Sequence, residues 1–363
     1  MKRGTALTAA LLVLITGCGT QVVKAASTTV AASVPAPLDT SLATAQGTWA
    51  IALMGGSAAD EDNFWELFYR PVAGGPWQLA TPPAVADNGG LVAAGDPSSL
   101  LIGFRPSQDL AFSPLAASTS NGRHWTAGLL GAALADSPDA LADAAGGHEL
   151  ALLGSGTIDA STGGGTWSAL PALATSPAGR SCGVAGVNAV AFWTNETPVA
   201  AADCTRPGVA GVFRDAAGTW EQDGPLLPAA YARDRVRVLR LTSTAVLLQA
   251  GSDLLVSWWS GTAWTGPVAL PEAGGVRASG FGANGSVWAL LDDGSAQTIS
   301  GPGGTWQALS PAVPSGTAVI ALGGAGPQAL APRGSTLTVW QLTGGAWTKV
   351  QSMKVPIVYG SSS

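Results

Sequence analysis

The sequence feature that most constrains the fold is a tryptophan that follows a glycine turn and recurs along the chain. Six of these tryptophans have glycine three positions earlier, and one has glycine two positions earlier. Their spacings of 48, 42, 53, 44, 42 and 41 residues match the length of four short strands with their turns. A radial array of such units is a β-propeller. The seven tryptophans are Trp77, Trp125, Trp167, Trp220, Trp264, Trp306 and Trp347.

The repeat units divide into strands at their Gly, Asn, Asp and Pro turns. The unit that ends at Trp306 reads VRASGFGANG, SVWALLDDG, AQTISGPGG and TWQALSP. The glycine turn therefore falls between the third and fourth strands. Glycine supplies the positive φ of this turn, and the indole is expected to cover the gap between neighbouring blades. The sequence predicts an all-β, seven-bladed propeller of four-stranded antiparallel blades over residues 47–363.

The first unit supplies only three clear strands, within GTWAIALMGG, NFWELFYRPVAGG and PWQLATPP. One more apolar run follows the last repeat, at Val355 to Tyr359. We expect this C-terminal run to form the innermost strand of the first blade and so to close the ring.

Composition excludes several classes of protein. The chain of 363 residues is 47% hydrophobic and 11% charged, with 49 Gly and 24 Pro, which disfavours both disorder and a long helical fold. Its formal net charge of −6 is modest and its basic residues are scattered, so the composition does not suggest a nucleic-acid partner.

The N-terminus has the pattern of an export signal. Lys2 and Arg3 precede an apolar stretch that is too short for a stable membrane span. The sequence then reads Ile-Thr-Gly-Cys at positions 15–18, which resembles the lipobox of bacterial lipoproteins. That resemblance implies that residues 1–17 are removed and that Cys18 carries a diacylglycerol anchor. The alternative is an ordinary secretory signal with an incidental cysteine.

Residues 18–46 are rich in Ala, Ser, Thr and Pro and contain no aromatic residue. This composition predicts a flexible tether between Cys18 and the folded domain. Together with the lipobox resemblance, it predicts a location on the extracytoplasmic side of a cell membrane.

Two cysteines remain if Cys18 is lipidated. An even pair in an exported protein predicts a disulfide between Cys182 and Cys204, closing a loop of about twenty residues. Free thiols or a metal pair are the alternatives, although only His124 and His148 exist to complete a metal site. Both cysteines fall in the longest repeat unit, so we expect the disulfide to fix an enlarged blade or the inserted loop NETPVAAADCTRPG. No resident metal or cofactor is expected.

One turn resembles the Asp-box of sialidase-like propellers, whose pattern is SxDxGxxW. Residues 118–125 match it with Ser120 in place of the aspartate, and Ser257, Gly261 and Trp264 match it in part. Sialidase chemistry would need three arginines, a tyrosine with a glutamate partner, and an acidic acid/base. Only Tyr69, Tyr231 and Tyr359 are available, and the arginine motif is distantly echoed at residues 68–71. We therefore expect a protein that is not an enzyme.

Three further clusters in the sequence could carry function. Arg233, Arg235 and Arg237 alternate along an expected inner strand and are candidate ligands for a carboxylate or phosphate near the central channel. Pairing with Asp234 or simple solvation is the alternative. Trp258 and Trp259 are expected in the core rather than in a sugar platform. The acidic run at residues 60–63 is interpreted as a solvated loop rather than a calcium site.

Together these patterns predict that the protein is a membrane-anchored module that binds or assembles a protein or a cell-envelope glycan. A carbohydrate-active enzyme on the same scaffold is the alternative from another class, and a purely structural envelope protein is a third.

Overall fold

The computed structural model describes residues 40–44, 47–55, 64–72, 74–82, 91–95, 100–104, 115–120, 122–127, 138–154, 156–162, 166–194, 196–323 and 326–356. The predicted signal peptide, Cys18 and the acidic run at residues 60–63 lie outside these residues.

The strands in this part of the chain form consecutive groups of four, which we call sheets 1 to 7. Sheet 1 contains β1 (Thr40–Ala43), β2 (Gly47–Met54), β3 (Phe64–Pro71) and β4 (Gln78–Leu79). Sheet 2 contains β5 (Leu91–Gly95), β6 (Leu100–Phe104), β7 (Leu115–Ser118) and β8 (Thr126–Ala127). Sheet 3 contains β9 (Pro138–Ala144), β10 (His148–Leu153), β11 (Ile158–Thr162) and β12 (Trp167–Ala169).

Sheet 4 contains β13 (Val184–Phe192), β14 (Pro198–Cys204), β15 (Val212–Asp215) and β16 (Trp220–Gln222). Sheet 5 contains β17 (Val236–Leu241), β18 (Ala245–Ala250), β19 (Asp253–Trp258) and β20 (Val268–Leu270). Sheet 6 contains β21 (Val276–Phe281), β22 (Val287–Leu291), β23 (Ala296–Ile299) and β24 (Gln307–Ala308). Sheet 7 contains β25 (Val319–Ala321), β26 (Gln328–Arg333), β27 (Thr336–Thr343) and β28 (Ala346–Lys354).

Within each sheet the four strands are antiparallel and follow chain order. A parallel pairing of Leu42 with Phe281 joins β1 to β21, so sheets 1 and 6 are continuous. The only α-helix in the described ranges is α1 (Pro177–Cys182), and short 3-10 helices cover Ala145–Gly147, Leu173–Thr175, Ala229–Tyr231 and Ala283–Gly285. No helix in the same ranges is long and apolar enough to cross a membrane.

Both faces of the sheets are buried, which explains why the strands are apolar almost throughout. In β2, Trp49 and Ile51 face sheet 2, whereas Ala50, Ala52 and Met54 face the opposite way, toward sheets 6 and 7. Successive side chains of a strand point to opposite faces, so a strand between two neighbours needs apolar residues at both parities.

The core is divided into clusters that join consecutive sheets. Separate clusters of buried side chains join sheets 1 and 2, 2 and 3, 3 and 4, 4 and 5, and 5 and 6. A further cluster combines residues of sheets 6, 7 and 1, including Trp288, Leu330 and Phe68. The all-β fold of four-stranded antiparallel sheets is consistent with the expected β-propeller.

The innermost strand of sheet 1 corrects two expectations. Residues 40–43, expected within the tether, form β1 and pair with β2 from Thr40↔Ile51 to Ala43↔Thr48. The innermost strand of the first sheet, expected to be Val355 to Tyr359, is therefore formed by residues on the N-terminal side of β2. A hairpin with β2 closes a much shorter loop than a pairing with the C-terminus would. Residues 357–363 lie outside the described residues.

The repeat unit between Trp167 and Trp220 is the longest, and its additional residues do not form the loop that the sequence suggested. Most of NETPVAAADC forms β14, and the additional structure is the segment before β13, which contains α1. Local signals explain this helix. The Ser176 side chain accepts a hydrogen bond from Gly179 N, Pro177 follows this N-cap, and Gly183 ends the helix with φ of 68°.

Candidate functional site

A cavity of about 240 Å³ lies among the innermost strands of the sheets. Its walls come from β1, β5, β9, β13 and β17, with Phe281 from the end of β21. Most of the lining is apolar, because each of these strands also contributes to the core. Concave sites with mostly apolar walls and a few polar groups are the usual places for a small ligand.

A small set of polar side chains interrupts the apolar lining. Asp139 and Asp143 lie on β9, Asn188 lies on β13, and Arg240 lies on β17. The two carboxyl groups and the guanidinium group are half-buried. The cavity therefore offers acidic groups on one wall and a basic group on another.

Asn188 is the most deeply buried of these polar residues, with 3% of its surface exposed. Its Nδ2 donates hydrogen bonds to Asp203 Oδ1 at 3.1 Å and to the Val238 carbonyl oxygen at 3.2 Å. These two acceptors fix the orientation of the amide, which leaves Oδ1 buried and without a hydrogen-bond partner. A buried acceptor in this state costs about 1–3 kcal/mol until a donor reaches it.

The predicted arginine cluster lies elsewhere. Arg233 and Arg235 precede β17, Arg237 is near its start, and all three are exposed and absent from the cavity lining. Arg240 lines the cavity instead, and a bulge between Val238 and Arg240 changes the register of the strand. Simple alternation places Arg240 on the opposite side of the strand from Arg237, and it cannot anticipate a bulge, so the sequence did not indicate Arg240 as a cavity residue. A ligand for Arg233, Arg235 and Arg237 stays a prediction.

The Cys182–Cys204 disulfide is confirmed, with the two Cα atoms 5.2 Å apart. It joins the end of α1 to the end of β14, and both cysteines are buried in the cluster between sheets 3 and 4. The backbone N–H of Arg206 donates to the Cys182 carbonyl oxygen at 3.1 Å. The disulfide therefore holds α1 against the sheet rather than shaping an exposed loop.

The repeated tryptophans mostly connect one sheet to the sheet before it. Trp220 Nε1 donates to the Pro171 carbonyl oxygen after sheet 3, and Trp306 Nε1 donates to Val268 O of sheet 5. Trp264 Nε1 donates to Asp223 O after sheet 4, and Trp347 Nε1 donates to Pro311 O after sheet 6. Trp77 Nε1 donates to Gln328 Oε1 of sheet 7. The expected packing role of the indoles is therefore supported.

The glycine turns before these tryptophans have the expected backbone. Gly74, Gly218, Gly303 and Gly344 have φ between 59° and 86°. Residues with a Cβ rarely adopt such a positive φ, so the repeated glycine has a local conformational cause. Gly164 lies outside the described residues.

The Asp-box-like turn is closed by its own side chains. Ser118 Oγ accepts a hydrogen bond from Gly122 N at 3.0 Å, and Ser120 Oγ accepts one from His124 N at 2.8 Å. Trp125 Nε1 donates to Gly122 O. Ser120 thus caps the turn from the position that holds aspartate in the motif, which is a structural role.

The residues suggested by sialidase chemistry are not gathered around the cavity. Tyr69 is buried against Trp49, with ring centroids 4.3 Å apart, and burial raises its pKa. Tyr231 donates its hydroxyl to Asp253 Oδ2 at 3.0 Å. Burial lowers the pKa of Arg70, whose Nε donates to Gly75 O. None of these three residues belongs to the cavity lining.

Adjacent tryptophans in sheet 5 have different surroundings. Trp258 is buried and its Nε1 donates to Gly285 O at 2.7 Å. Trp259 is half-buried and stacks on Trp193 with ring centroids 5.1 Å apart. Trp264 completes a cluster of three indoles between sheets 4 and 5. Both tryptophans contribute to packing, as expected.

Other acidic groups have shifted pKa values. Burial raises the pKa of Glu66 to about 7, although a hydrogen bond from Thr81 opposes this shift. Burial also raises the pKa of Glu149 and of Asp159. These carboxyl groups lie outside the cavity lining. In the described ranges no group of three or more His, Cys, Asp and Glu side chains could hold a metal ion.

Comparison with known proteins identifies the fold and no family. No family model matches the sequence, and no curated protein matches it. Among solved structures, a candidate 6-phosphogluconolactonase of Bacteroides fragilis aligns with a TM-score of 0.51 at 13% identity, covering 86% of this chain and 97% of that one. A protein from Lactobacillus plantarum aligns with a TM-score of 0.50 at 11% identity, covering 85% and 97%.

A third similar structure is YCF48 bound to a D1 peptide, with a TM-score of 0.45 at 15% identity, covering 77% of this chain and 86% of that one. The similar structures are β-propeller-like proteins. The two structures with TM-scores of 0.51 and 0.50 show the class of fold alone, and the chain is a β-propeller-like protein.

Proposed function

We propose that this chain is a lipid-anchored, extracytoplasmic, seven-bladed propeller that binds an envelope glycan or a protein segment through its central cavity without catalysing a reaction. The observation that carries the binding function is Asn188, a residue of the cavity lining whose buried Oδ1 has no hydrogen-bond partner. A ligand hydroxyl or amide N–H would satisfy this acceptor.

The character of the cavity supports such a ligand. Apolar walls with a few convergent polar groups are typical of small-molecule and side-chain pockets. Saccharides and peptides both supply the hydrogen-bond donors that Asn188 Oδ1 requires, and both also supply apolar faces for the walls.

Closure into one ring is supported by contacts between the first and last sheets. Gln351 of β28 binds the backbone of Trp77 twice, since Oε1 accepts from Trp77 N at 2.8 Å and Nε2 donates to Trp77 O at 2.8 Å. Ser41 Oγ donates to Ile320 O of β25 at 2.7 Å. These contacts do not depend on the C-terminal run that the sequence suggested for closure.

The anchor is supported by sequence alone, through the lipobox resemblance at Cys18. Mass spectrometry of the mature N-terminus tests it directly. We expect acylated Cys18 as the first residue, and an unmodified Cys18 would contradict the anchor without affecting the cavity.

A catalytic function is the second candidate, because Asp139 and Asp143 both line the cavity. Glycosidases place two carboxyl groups about 5–9.5 Å apart. Positions i and i+4 of one strand are separated by roughly 13 Å of strand rise, which is too far for that chemistry. This spacing favours binding over hydrolysis.

The cavity can be blocked to test the proposal. Ser243 is exposed at the cavity, so Ser243→Phe should obstruct it, whereas Thr219→Phe places the same side chain in an exposed turn outside the lining. Binding of the full chain to isolated cell-wall glycan is measured by co-sedimentation, and protein neighbours are captured by crosslinking in intact cells.

We expect Ser243→Phe to lose glycan retention or a specific crosslink that Thr219→Phe keeps. Equal behaviour of the two variants in both assays would contradict binding through the cavity. New reducing ends released from the glycan by the parent chain, and lost with Asp139→Asn, would instead support the enzyme.

A further inference from the structure

Four exposed arginines surround the segment that leads into β17. Arg206 follows β14, Arg233 and Arg235 precede β17, and Arg237 lies near its start. Backbone contacts hold these segments together, since Gly208 N donates to Asp234 O at 2.9 Å. We call these four residues the arginine group.

The carboxylates beside the arginine group are less exposed than the arginines. Asp203 is buried and accepts a hydrogen bond from Asn188. Asp253 is half-buried and accepts from the Tyr231 hydroxyl and from Glu272 N. Asp234 is half-buried as well. Exposed carboxyl groups lie further along the same face, at Glu272 next to Asp253 and at Asp292 next to Gly275. The basic surface is therefore confined to the arginine group, in a chain whose net charge is −6.

An exposed apolar segment precedes the arginines along the chain. Leu226 is 92% exposed, and Pro228, Ala229 and Ala230 are exposed after it. The neighbouring Pro225 is buried and Leu227 packs against the core between sheets 4 and 5, so the segment is fixed in place. A leucine held this far into solvent, a few residues before several arginines in the chain, is typical of a surface that meets a membrane.

The arginine group lies on the face where the innermost strands begin, which we call the N-terminal face. The start of β17 pairs with the end of β18, at Val236↔Ala250. The residues just before β21 contact the same end of β18, since Gln249 Nε2 donates to Gly274 O and Gly274 N donates to Ser252 O. Strands β17 and β21 therefore begin on the same face.

The chain also joins sheet 1 from this side. Strand β1 is parallel to β21, so the N-terminal end of β1 points toward the N-terminal face. Thr40 is 22 positions after Cys18, and that length of chain spans at most roughly 75 Å. A lipid at Cys18 would hold the N-terminal face near the bilayer.

We propose that the N-terminal face binds the surface of an anionic lipid bilayer, with Leu226 in the interface and the arginine group on lipid phosphates. This inference rests on the proposed anchor at Cys18, which brings the face to the membrane. Guanidinium groups bind phosphate oxygens in bidentate fashion, and the adjacent leucine adds apolar contact that a soluble anion does not offer.

A spin label tests the orientation. The full chain with Leu226→Cys is labelled, reconstituted into vesicles of phosphatidylglycerol and phosphatidylcholine, and compared with vesicles of phosphatidylcholine alone. The matched control is Thr262→Cys, an exposed position in the turn between β19 and β20. Accessibility to oxygen and to a water-soluble relaxant reports the depth of each label.

We expect the label at position 226 to enter the bilayer interface on anionic vesicles only, and the label at position 262 to stay in water. In the Leu226→Cys background, Arg233→Ala with Arg235→Ala should weaken this association about fivefold per arginine, hence roughly 25-fold. Arg123→Ala with Lys349→Ala removes the same charge elsewhere and should leave it unchanged. A label at position 226 that stays in water on both vesicles overturns the proposal.

The acylation of Cys18 is measured by mass spectrometry in the same samples. If its thiol is free, the labelling is repeated with Cys18→Ala; burial of the label at position 226 would then support the face and contradict the anchor. If the label is immobilised by soluble polyglutamate and stays in water on vesicles, the arginine group binds acidic chains and the membrane proposal is wrong.

Discussion

The Trp77 indole donates a hydrogen bond from Nε1 to Gln328 Oε1 at 2.9 Å, which joins the first sheet to the last. Gln328 is buried, and its Nε2 donates to Gln341 Oε1 at 2.7 Å. Gln341 Nε2 in turn donates to Pro327 O. A connected set of buried amides therefore holds the two ends of the fold together.

Gln328→Leu should lower the free energy of unfolding by about 2–4 kcal/mol. Leucine keeps nearly the same side-chain volume, but the indole N–H of Trp77 and the Oε1 atom of Gln341 each lose a buried hydrogen-bond partner. Chemical denaturation measures the effect, and Gln222→Leu, in an exposed position of β16, is the control. Equal stability of the two variants would count against closure through this contact.

Ser41→Ala should destabilise the protein by about 1–3 kcal/mol. Ser41 Oγ accepts from Trp288 Nε1 at 2.8 Å and donates to Ile320 O, so its loss leaves two groups from sheets 6 and 7 unsatisfied. A residue in a solvated tether would show no such effect. Thermal unfolding with Ser168→Ala, exposed in β12, as control would decide between these outcomes.

The sequence was sufficient for the repeated part of the fold. Glycine turns and tryptophans recur because every sheet needs the same corner and the same packing against its neighbour, so the third and fourth strands could be located in each unit. The short strand β1 could not be located, because TSLA carries no aromatic residue or turn signal. Its order comes from pairing with β2 and from hydrogen bonds to sheets 6 and 7.

The cavity was harder to anticipate than the fold. Arg240 and Asn188 lie on strands that the sequence indicates, but which side chain faces the cavity depends on register. Strand β17 has a bulge after Val238, and β13 has shifts near Val184 and Val187. Alternation along a strand predicts orientation only where the ladder is regular.

The cost of replacing a repeated tryptophan should depend on how deeply its side chain is buried. Trp220 is 2% exposed, so Trp220→Ala should cost about 3–5 kcal/mol. Trp306 is half-buried, and Trp306→Ala should cost only about 1–2 kcal/mol. Urea unfolding of both variants measures this difference. Equal losses of unfolding free energy in the two variants would mean that the place of a tryptophan in the repeat determines its contribution to stability more than its burial does.

The double variant Cys182→Ala with Cys204→Ala should lose about 3 kcal/mol, because the disulfide closes a loop of 22 residues. The parent protein should show the same loss after reduction, whereas the variant should not respond to reductant. Guanidinium unfolding with and without reductant checks both statements. A parent protein indifferent to reduction would contradict a stabilising role.

Glu66 should make stability depend on pH in the neutral range. The residue is 8% exposed and its folded pKa is about 7, above the ordinary value of 4.5. The unfolded chain therefore loses this proton first, and the stability present below pH 4.5 is lost as pH rises toward and through 7. Ionised Glu66 should cost up to about 3 kcal/mol at pH 8.

Glu66→Gln removes this titration and keeps an oxygen that accepts from the Thr81 hydroxyl. We expect the variant to match the parent near pH 4.5 and to be the more stable protein at pH 8. Unfolding free energies measured between pH 4.5 and 8 test this, with exposed Glu272→Gln as the control. Parallel stability curves for the parent and Glu66→Gln would mean that folding does not raise the pKa of Glu66 above its ordinary value, because this shift is the sole source of the expected divergence.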